Sequence, residues 1–347
     1  MEILVGLDVS LASTSVCALG ANGRIVNEAK VPSDPGSLVE HIRGLPGSVA
    51  AVGLEAGPQS QWLHRGLSEA GFETVLMETR RVKASLKAAP VKTDRRDAAG
   101  IAQLLRMGWF QPVHCKSVAS QERRALLTSR SALVEGLTRL ELSVRGILRN
   151  FGLKLGRVSK GGWEERVREL TADNAMLSDA VAPILRLRAQ MRNELAMMTK
   201  KVRSLAMSDA TCRLLMTMPG VGPVTALTFV TAVDDPTRFR RTRDIGAWAG
   251  LTPKRSQSGE RDVSGGITRT GDVALRTALF QAATVMLHAS RKMNWLKSWA
   301  LRVAGRRGLK RATTALARRM AMVLLRMWRD GTEFRFTREP TMAPDPA

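Results

Sequence analysis

Over the first stretch of about 115 residues the hydrophobic pattern switches repeatedly between short apolar runs and helical spacing, the mark of strands alternating with helices. Ile3 to Val9 is an apolar run of strand length. Ser15 to Leu19 is a second, and Ala21-Asn22-Gly23 supplies a hairpin turn into a third at Arg24 to Val31. A short helical piece is predicted over Leu38 to Arg43 and a buried strand over Val49 to Leu54. An amphipathic helix follows over Gln59 to Ala70, closed by Gly71, then a last strand over Glu73 to Met77 and helices from Arg80 onward.

Three antiparallel-type strands followed by helix, strand, helix, strand and helix is the order of an RNase-H-like (RuvC-like) fold, so residues 1–118 read as an α/β domain of that class. From Ser120 to Leu205 the pattern turns helical with few breakers. Leu133, Leu137, Leu140, Val144 and Ile147 fall at alternating four- and three-residue steps. So do Val181, Ile184, Met191, Leu195, Met198, Val202 and Leu205, with Arg188 interrupting. These are coiled-coil-like seams, joined by a Gly-, Lys- and Ser-rich turn over Phe151 to Gly162. The same pattern serves a helical hairpin within one chain or a seam between two chains, and 119–207 is read as a helical coiled-coil linker or dimerisation region. Residues 208–340 form a third, mostly α-helical domain, and 341–347 a short Pro-rich tail expected to be disordered.

Charge changes the picture most. The 347 residues hold 54 Lys+Arg against 31 Asp+Glu, a formal net charge of +23, and such a surface concentrates polyanions, of which nucleic acid is the usual one. Val273 to Arg329 contains no acid, while Arg291 to Arg329 alone carries twelve Lys and Arg with Met320, Val323, Leu324 and Met327 interleaved at helical spacing. A solvated basic face is the bland reading; so unbalanced a run more often touches phosphates. No stretch is long and apolar enough to span a bilayer, and the opening is a strand pattern rather than a signal peptide, so no membrane partner is expected. Cys17, Cys115 and Cys212 are far apart and suggest neither disulfides nor a zinc knuckle, which fits a cytoplasmic protein. The chain has no tyrosine, which excludes any mechanism through a phosphotyrosine link to DNA.

Two acids stand where an apolar strand ends: Asp8 in Gly6-Leu7-Asp8 and Glu55 in Leu54-Glu55-Ala56. A charge at such a place is costly unless paired or bound to a metal. In Lys92-Thr93-Asp94-Arg95-Arg96-Asp97-Ala98 the two aspartates are three apart and share one face of a helix, which Thr93 or Asp94 can cap. Hard magnesium ions prefer carboxylate oxygens, and a two-metal site clamps a scissile phosphate, so two strand-end acids and a D-x-x-D helix can supply the cage. The bland alternative is that Asp94 and Asp97 pair with Lys92, Arg95 or Arg96.

Met218-Pro219-Gly220-Val221-Gly222-Pro223 reads as a tight turn between helices, resembling a helix-hairpin-helix element whose exposed amides at Gly220 and Gly222 can meet a phosphate. An ordinary helix–helix turn is the competing reading. Beyond it, Thr252 to Asp272 is predicted as a polar, basic loop that enters a helix at Val273. A serine among cations is a candidate nucleophile for phosphoryl transfer, because positive charge stabilises the alkoxide and the developing phosphorane. Composition does not choose among Ser256, Ser258 and Ser264, and a flexible Ser/Gly loop is the simpler reading.

Taken together these residues resemble the insertion sequence 110 family of DEDD transposases, the bridge-RNA-guided recombinases. The resemblance covers nearly the whole chain. It rests on G-L-D near the start, L-E-A after the fourth strand, K-T-D-R-R-D-A, P-G-V-G, A-G-L-T-P followed by S-G, and T-G-D-V-A-L-R. It implies that Asp8, Glu55, Asp94 and Asp97 bind Mg2+ (Mn2+ as an alternative) and that Ser258 is the nucleophile. It also implies a homo-oligomer, dimer or tetramer, in which the carboxylate domain of one subunit meets the serine domain of another. The partners implied are double-stranded donor and target DNA and a structured guide RNA that pairs with both. One departure stands out. The family often has an aromatic a few residues after the glutamate, whereas Glu55 is followed by Ala56-Gly57-Pro58-Gln59-Ser60.

Lys92, Arg95, Lys254, Arg255, Arg261, Arg269 and Arg276 are the candidate phosphate contacts. Three rival readings fit the chain less well. A junction nuclease of the RuvC type would use water and leave the residues after Ser208 without a purpose. A sugar-kinase or actin-like ATPase would need a second α/β half. A non-enzymatic nucleic-acid-binding protein would not need four acids.

Overall fold

Strand β1 (Glu2–Val9) buries Ile3, Val5 and Leu7 completely, as a central strand covered on both faces must. It pairs antiparallel with β2 (Ser13–Gly20), which pairs antiparallel with β3 (Ile25–Pro32), and the Gly20–Gly23 turn between them is closed by the Gly23 amide on the Gly20 carbonyl. On its other side β1 runs parallel to β4 (Ser48–Glu55), which runs parallel to β5 (Thr74–Met77). The mixed sheet has the order β3-β2-β1-β4-β5, which is that of an RNase-H-like sheet. This is a computed structural model; it describes residues 2–87, 93–159 and 161–337. It divides into two compact units, Met1–Ser117 and Val118–Ala347, and Lys92 and the 341–347 tail lie outside the described residues.

In the first unit, helices α1 (Pro35–Arg43) and α2 (Ser60–Glu69) contribute Leu38, Ile42, Leu63 and Leu67 to one core with the sheet. Helix α3 (Thr79–Leu86) leads toward α4 (Asp94–Arg106), which packs Ala98, Ile101, Ala102 and Leu105 against β1, β2 and β4. Contact with β1 is unusually close: a Cβ at Gly6 would stand 2.2 Å from the Ala98 carbonyl oxygen. Only a glycine lets the helix axis come so near the strand.

The second unit is mostly helical. Two long helices, α5 (Val118–Asn150) and α7 (Ala175–Ser208), pack against each other within the chain, with the short α6 (Trp163–Thr171) between them. Val144, Leu148, Val181 and Leu185 lie in their shared core. Arg188, the interruption in the second apolar seam, is buried there. Its guanidinium reaches Glu141 at 2.7 Å and Glu164 at 2.8 Å and lies 4.2 Å from the Trp163 ring centroid. Helix α8 (Ala210–Met216) then meets α9 (Pro223–Val233), whose residues Thr225 to Val233 are all buried. Around α9 are α10 (Asp244–Trp248), α11 (Val273–His288), α12 (Trp295–Arg307) and α13 (Leu309–Asp330), sharing Phe229, Leu279, Met286, Leu316, Met320 and Leu324. No helix among the described residues is long and apolar enough to cross a membrane.

The expected loop over Thr252 to Asp272 is corrected by the structure. It contains a two-stranded antiparallel hairpin, β6 (Pro253–Ser258) and β7 (Arg261–Ile267). Every residue from Pro253 to Gly266 is exposed. A ribbon with no core-facing side has no apolar alternation, so the signal that reveals other strands is missing here.

Candidate active site and serine hairpin

Register places the first two acids. Leu7 pairs with Leu54 in the parallel β1–β4 ladder, so the residues that follow, Asp8 and Glu55, leave neighbouring strands at the same edge of the sheet. The loop after Glu55 is fixed without an aromatic. The Ser60 hydroxyl donates to the Gly57 carbonyl at 2.7 Å and accepts from the Gly57 amide, while Gln59 Nε2 donates to the Leu11 carbonyl at 3.2 Å. The Thr79 hydroxyl donates to the Ala56 carbonyl at 2.6 Å.

Asp94 and Asp97 fall in the first turn of α4 and Thr93 is the cap, its hydroxyl accepting from the Arg96 amide at 3.3 Å. Gly6 brings this turn toward the sheet, and all four carboxylates line one cavity of about 830 Å³. Lys83 and Lys87, one helical turn apart on and just after α3, line it too; the sequence reading missed them, although their four-residue spacing marks a shared face. Among the described residues no three His, Cys, Asp or Glu side chains converge closely enough to form a ready cage for a metal ion. The donor set nevertheless fits a hard divalent cation: four carboxylates, with no histidine or thiol on the cavity wall. Like charges drawn to coordination distance repel one another until a cation lies between them.

The hairpin is mounted on a rigid root. A Cβ at Gly250 would stand 2.0 Å from the Thr270 carbonyl oxygen, and one at Gly271 would stand 2.0 Å from that of Trp248. Both glycines have positive φ, +70° and +79°, and the two chain segments interlock through them. Arg276 spans the same junction, donating from Nη1 to the Ala249 carbonyl at 3.0 Å and the Thr270 carbonyl at 2.9 Å. Arg124 of α5 pairs at 2.6 Å with Asp272, whose carboxylate also accepts from the Leu275 amide to cap α11.

Beyond the root, cross-strand pairing sorts the side chains. Ser256 lies opposite Val263 and Ser258 opposite Arg261, so Ser256, Ser258, Arg261 and Val263 share one face. Arg255, Gln257, Asp262 and Ser264 occupy the other. There Arg255 forms a bidentate pair with Asp262 at 2.7 and 2.8 Å, which holds the Asp262 carboxyl below its usual pKa. Ser258 is the last residue before the turn, where Gly259 adopts φ +55°.

Two family models match the chain. The DEDD transposase model of IS110-type elements matches residues 5–152, which hold most of β1 through the end of α5 with all four acids. The IS116/IS110/IS902 family transposase model matches residues 212–299, which hold the glycine turn and the hairpin. The chain belongs to the IS110 family of transposases. The transposase of insertion sequence element IS1111A from Coxiella burnetii is 29% identical over 327 residues, 92% of this chain and 88% of that protein. A family 20 transposase of Pseudomonas aeruginosa is 26% identical, over 92% of this chain and 95% of its own. The transposase of element IS1328 from Yersinia enterocolitica is 24% identical, over 82% and 85%. As an insertion-sequence transposase the chain is an enzyme that cuts and rejoins DNA.

The remaining expected contact residues of this transposase stand in varied settings. Lys254, Arg261 and Arg269 are exposed on the hairpin and its return. Arg95 is ion-paired to Glu28 of β3, which keeps that carboxyl low. Gly220 sits in the turn between α8 and α9 with φ +89°, and a Cβ there would be 2.3 Å from the Ala282 carbonyl oxygen, so packing on α11 already requires glycine. Gly222 is the N-cap of α9.

Proposed function

We propose that this transposase breaks DNA by attack of Ser258 of one subunit on a phosphodiester held beside the four-carboxylate cavity of another. Asp8, Glu55, Asp94 and Asp97 would hold magnesium, or manganese in its place. When bound, the ion supplies Lewis-acid stabilisation of charge on the scissile phosphate and its leaving oxygen. The Ser258 Oγ–phosphorus bond forms as the bond to one sugar oxygen breaks; Oγ loses a proton and the departing oxygen gains one. A free hydroxyl of another strand then attacks the phosphoserine and returns the serine unchanged. Arg261, across the ribbon on the serine's own face, is the cation best placed to stabilise the alkoxide and the phosphorane oxygens. Arg255 is turned to the other face and matched by Asp262. The observation that carries the reading is that all four acids line one cavity.

In this reading residues 1–118 are the carboxylate domain, 119–207 a linking and dimerising coiled-coil region, and 208–340 the serine domain. The chain works in the cytoplasm as a dimer or tetramer on donor and target duplexes, directed by a structured guide RNA. Lys92, Lys254, Arg269 and the amides of Gly220 and Gly222 contact phosphates, with Arg95 and Arg276 holding elements in place. The net charge of +23 supports a nucleic-acid load beyond the substrate. Purification at high salt and sequencing of the retained nucleic acid tests the guide. One discrete RNA is expected, and a mixed population would refute it, because non-specific polyanions leave as salt rises. For the nucleophile, Ser258→Ala is expected to abolish the covalent protein–DNA adduct while DNA binding persists; an adduct surviving in that variant would refute the serine assignment.

A further inference from the structure

Helices α12 and α13 form an antiparallel pair turned by one residue, Gly308, with φ +81°. The pair is braced along its length. Ala300, Ala312 and Leu316 are fully buried, and the Arg319 guanidinium stacks on the Trp299 ring at 3.8 Å. At the turn the Gly308 amide donates to the Ala304 carbonyl at 2.9 Å, and the Ala312 amide to Gly308 at 3.1 Å. The hairpin therefore presents its tip at a fixed place.

That tip carries Arg302, Arg306, Arg307, Lys310 and Arg311, all exposed. None makes an ion pair or side-chain hydrogen bond among the described residues. The sequence has no acid from Val273 through Arg329 to soften them. Arg302 and Arg306 are one turn apart, a like-charge pair that works against the helix. Lys310 and Arg311 are in the first turn of a 22-residue helix with no side-chain cap and no acid, so they oppose the positive end of its dipole. Cations collected at a place where the fold resists them are explained by an anion outside the chain.

We propose that the α12–α13 tip is a docking surface for the phosphate backbone of double-stranded DNA, separate from the serine hairpin and blind to base sequence. Several unpaired cations of one sign match the regular negative charge of a duplex backbone, and each phosphate neutralised releases counterions. The proposal does not depend on the role of Ser258, since the two surfaces can be disabled independently.

The test is a salt titration of the full chain on a short mixed-sequence DNA duplex. Neutralising the tip (R306Q, R307Q, K310Q and R311Q together) is expected to flatten the slope of log K against log salt by roughly 3–4, at about 0.9 per lost contact. Removing the same charge from α5 and α7, at the exposed Arg139, Arg149, Lys200 and Lys201, is expected to leave the slope nearly unchanged. Equal loss in both variants, or no loss at the tip, would overturn the proposal. A loss seen on an RNA of matching sequence but not on the DNA duplex would overturn it too, and would make RNA the partner. The pair K310E and R311E guards against misfolding. Placing acids in the first turn of α13 is expected to raise the melting midpoint by roughly 1–4 °C while weakening duplex binding at least tenfold. Weaker binding with a lower midpoint would mean that the tip is structural.

Discussion

Ala98 and Ala102 lie so close over Gly6 that a single methyl group there meets backbone atoms at 2.2 and 2.4 Å. Two residues along β1 is Asp8, and back along α4 from Ala98 are Asp97, next to it, and Asp94, one turn away. Gly6 thereby sets how near the helix acids come to the strand acids. Gly6→Ala is expected to destabilise the chain by about 1–3 kcal/mol, the usual cost of overpacking, and to reduce DNA cleavage further than the stability loss explains. Thermal melting read beside a cleavage assay checks this; a variant with unchanged melting and full activity would contradict it. Asp8 and Glu55 could be found in the sequence because an acid ending an apolar run is conspicuous by itself. Gly6 could not, because its meaning lies in residues of α4 remote along the chain.

At the scale of elements, one buried side chain of α7 links α6 to α5. Arg188 is 2% exposed and satisfied by Glu141 and Glu164. Removing it leaves two acids facing a half-buried site. Arg188→Ala is expected to cost about 3–5 kcal/mol in urea denaturation, and Arg188→Met, which keeps the volume, distinctly less. Helix α2 offers a pH effect. Burial holds the His64 pKa below its usual 6.5, outweighing the Thr74 backbone hydrogen bond and Glu73, which pull it upward, and His114 adds to the lowering. The unfolded chain then binds the proton more readily. The stabilisation is complete above the unfolded value and is lost as pH falls through 6.5 toward the folded value. His64→Gln should flatten the stability profile as pH falls through 6.5, measured by chemical denaturation. Most elements of the first unit were legible, since β1, β2, β4 and β5 carry strong apolar runs between turn residues. The serine ribbon was not, because it stands in solvent and its strands are held by Gly250, Gly271 and Arg276 at the root rather than by an apolar face. The seams of α5 and α7 were legible as pattern, and the structure packs them against each other within the chain.

Across the whole molecule, the proposed function joins the charge of +23 and the carboxylate cavity in one chemistry. In that proposal the cations gather a polyanion, and the acids supply the place where it is cut. Binding and cutting should therefore separate. The measurement that tests this most directly is divalent-cation-dependent cleavage of DNA from the ends of the element, by the wild-type chain and by Asp8→Asn, Glu55→Gln, Asp94→Asn and Asp97→Asn singly. Each variant is expected still to bind DNA and to lose cleavage by roughly 10²-fold or more, the loss that follows when several kcal/mol of transition-state stabilisation disappear. Cleavage near the wild-type rate in any one of the four would contradict it.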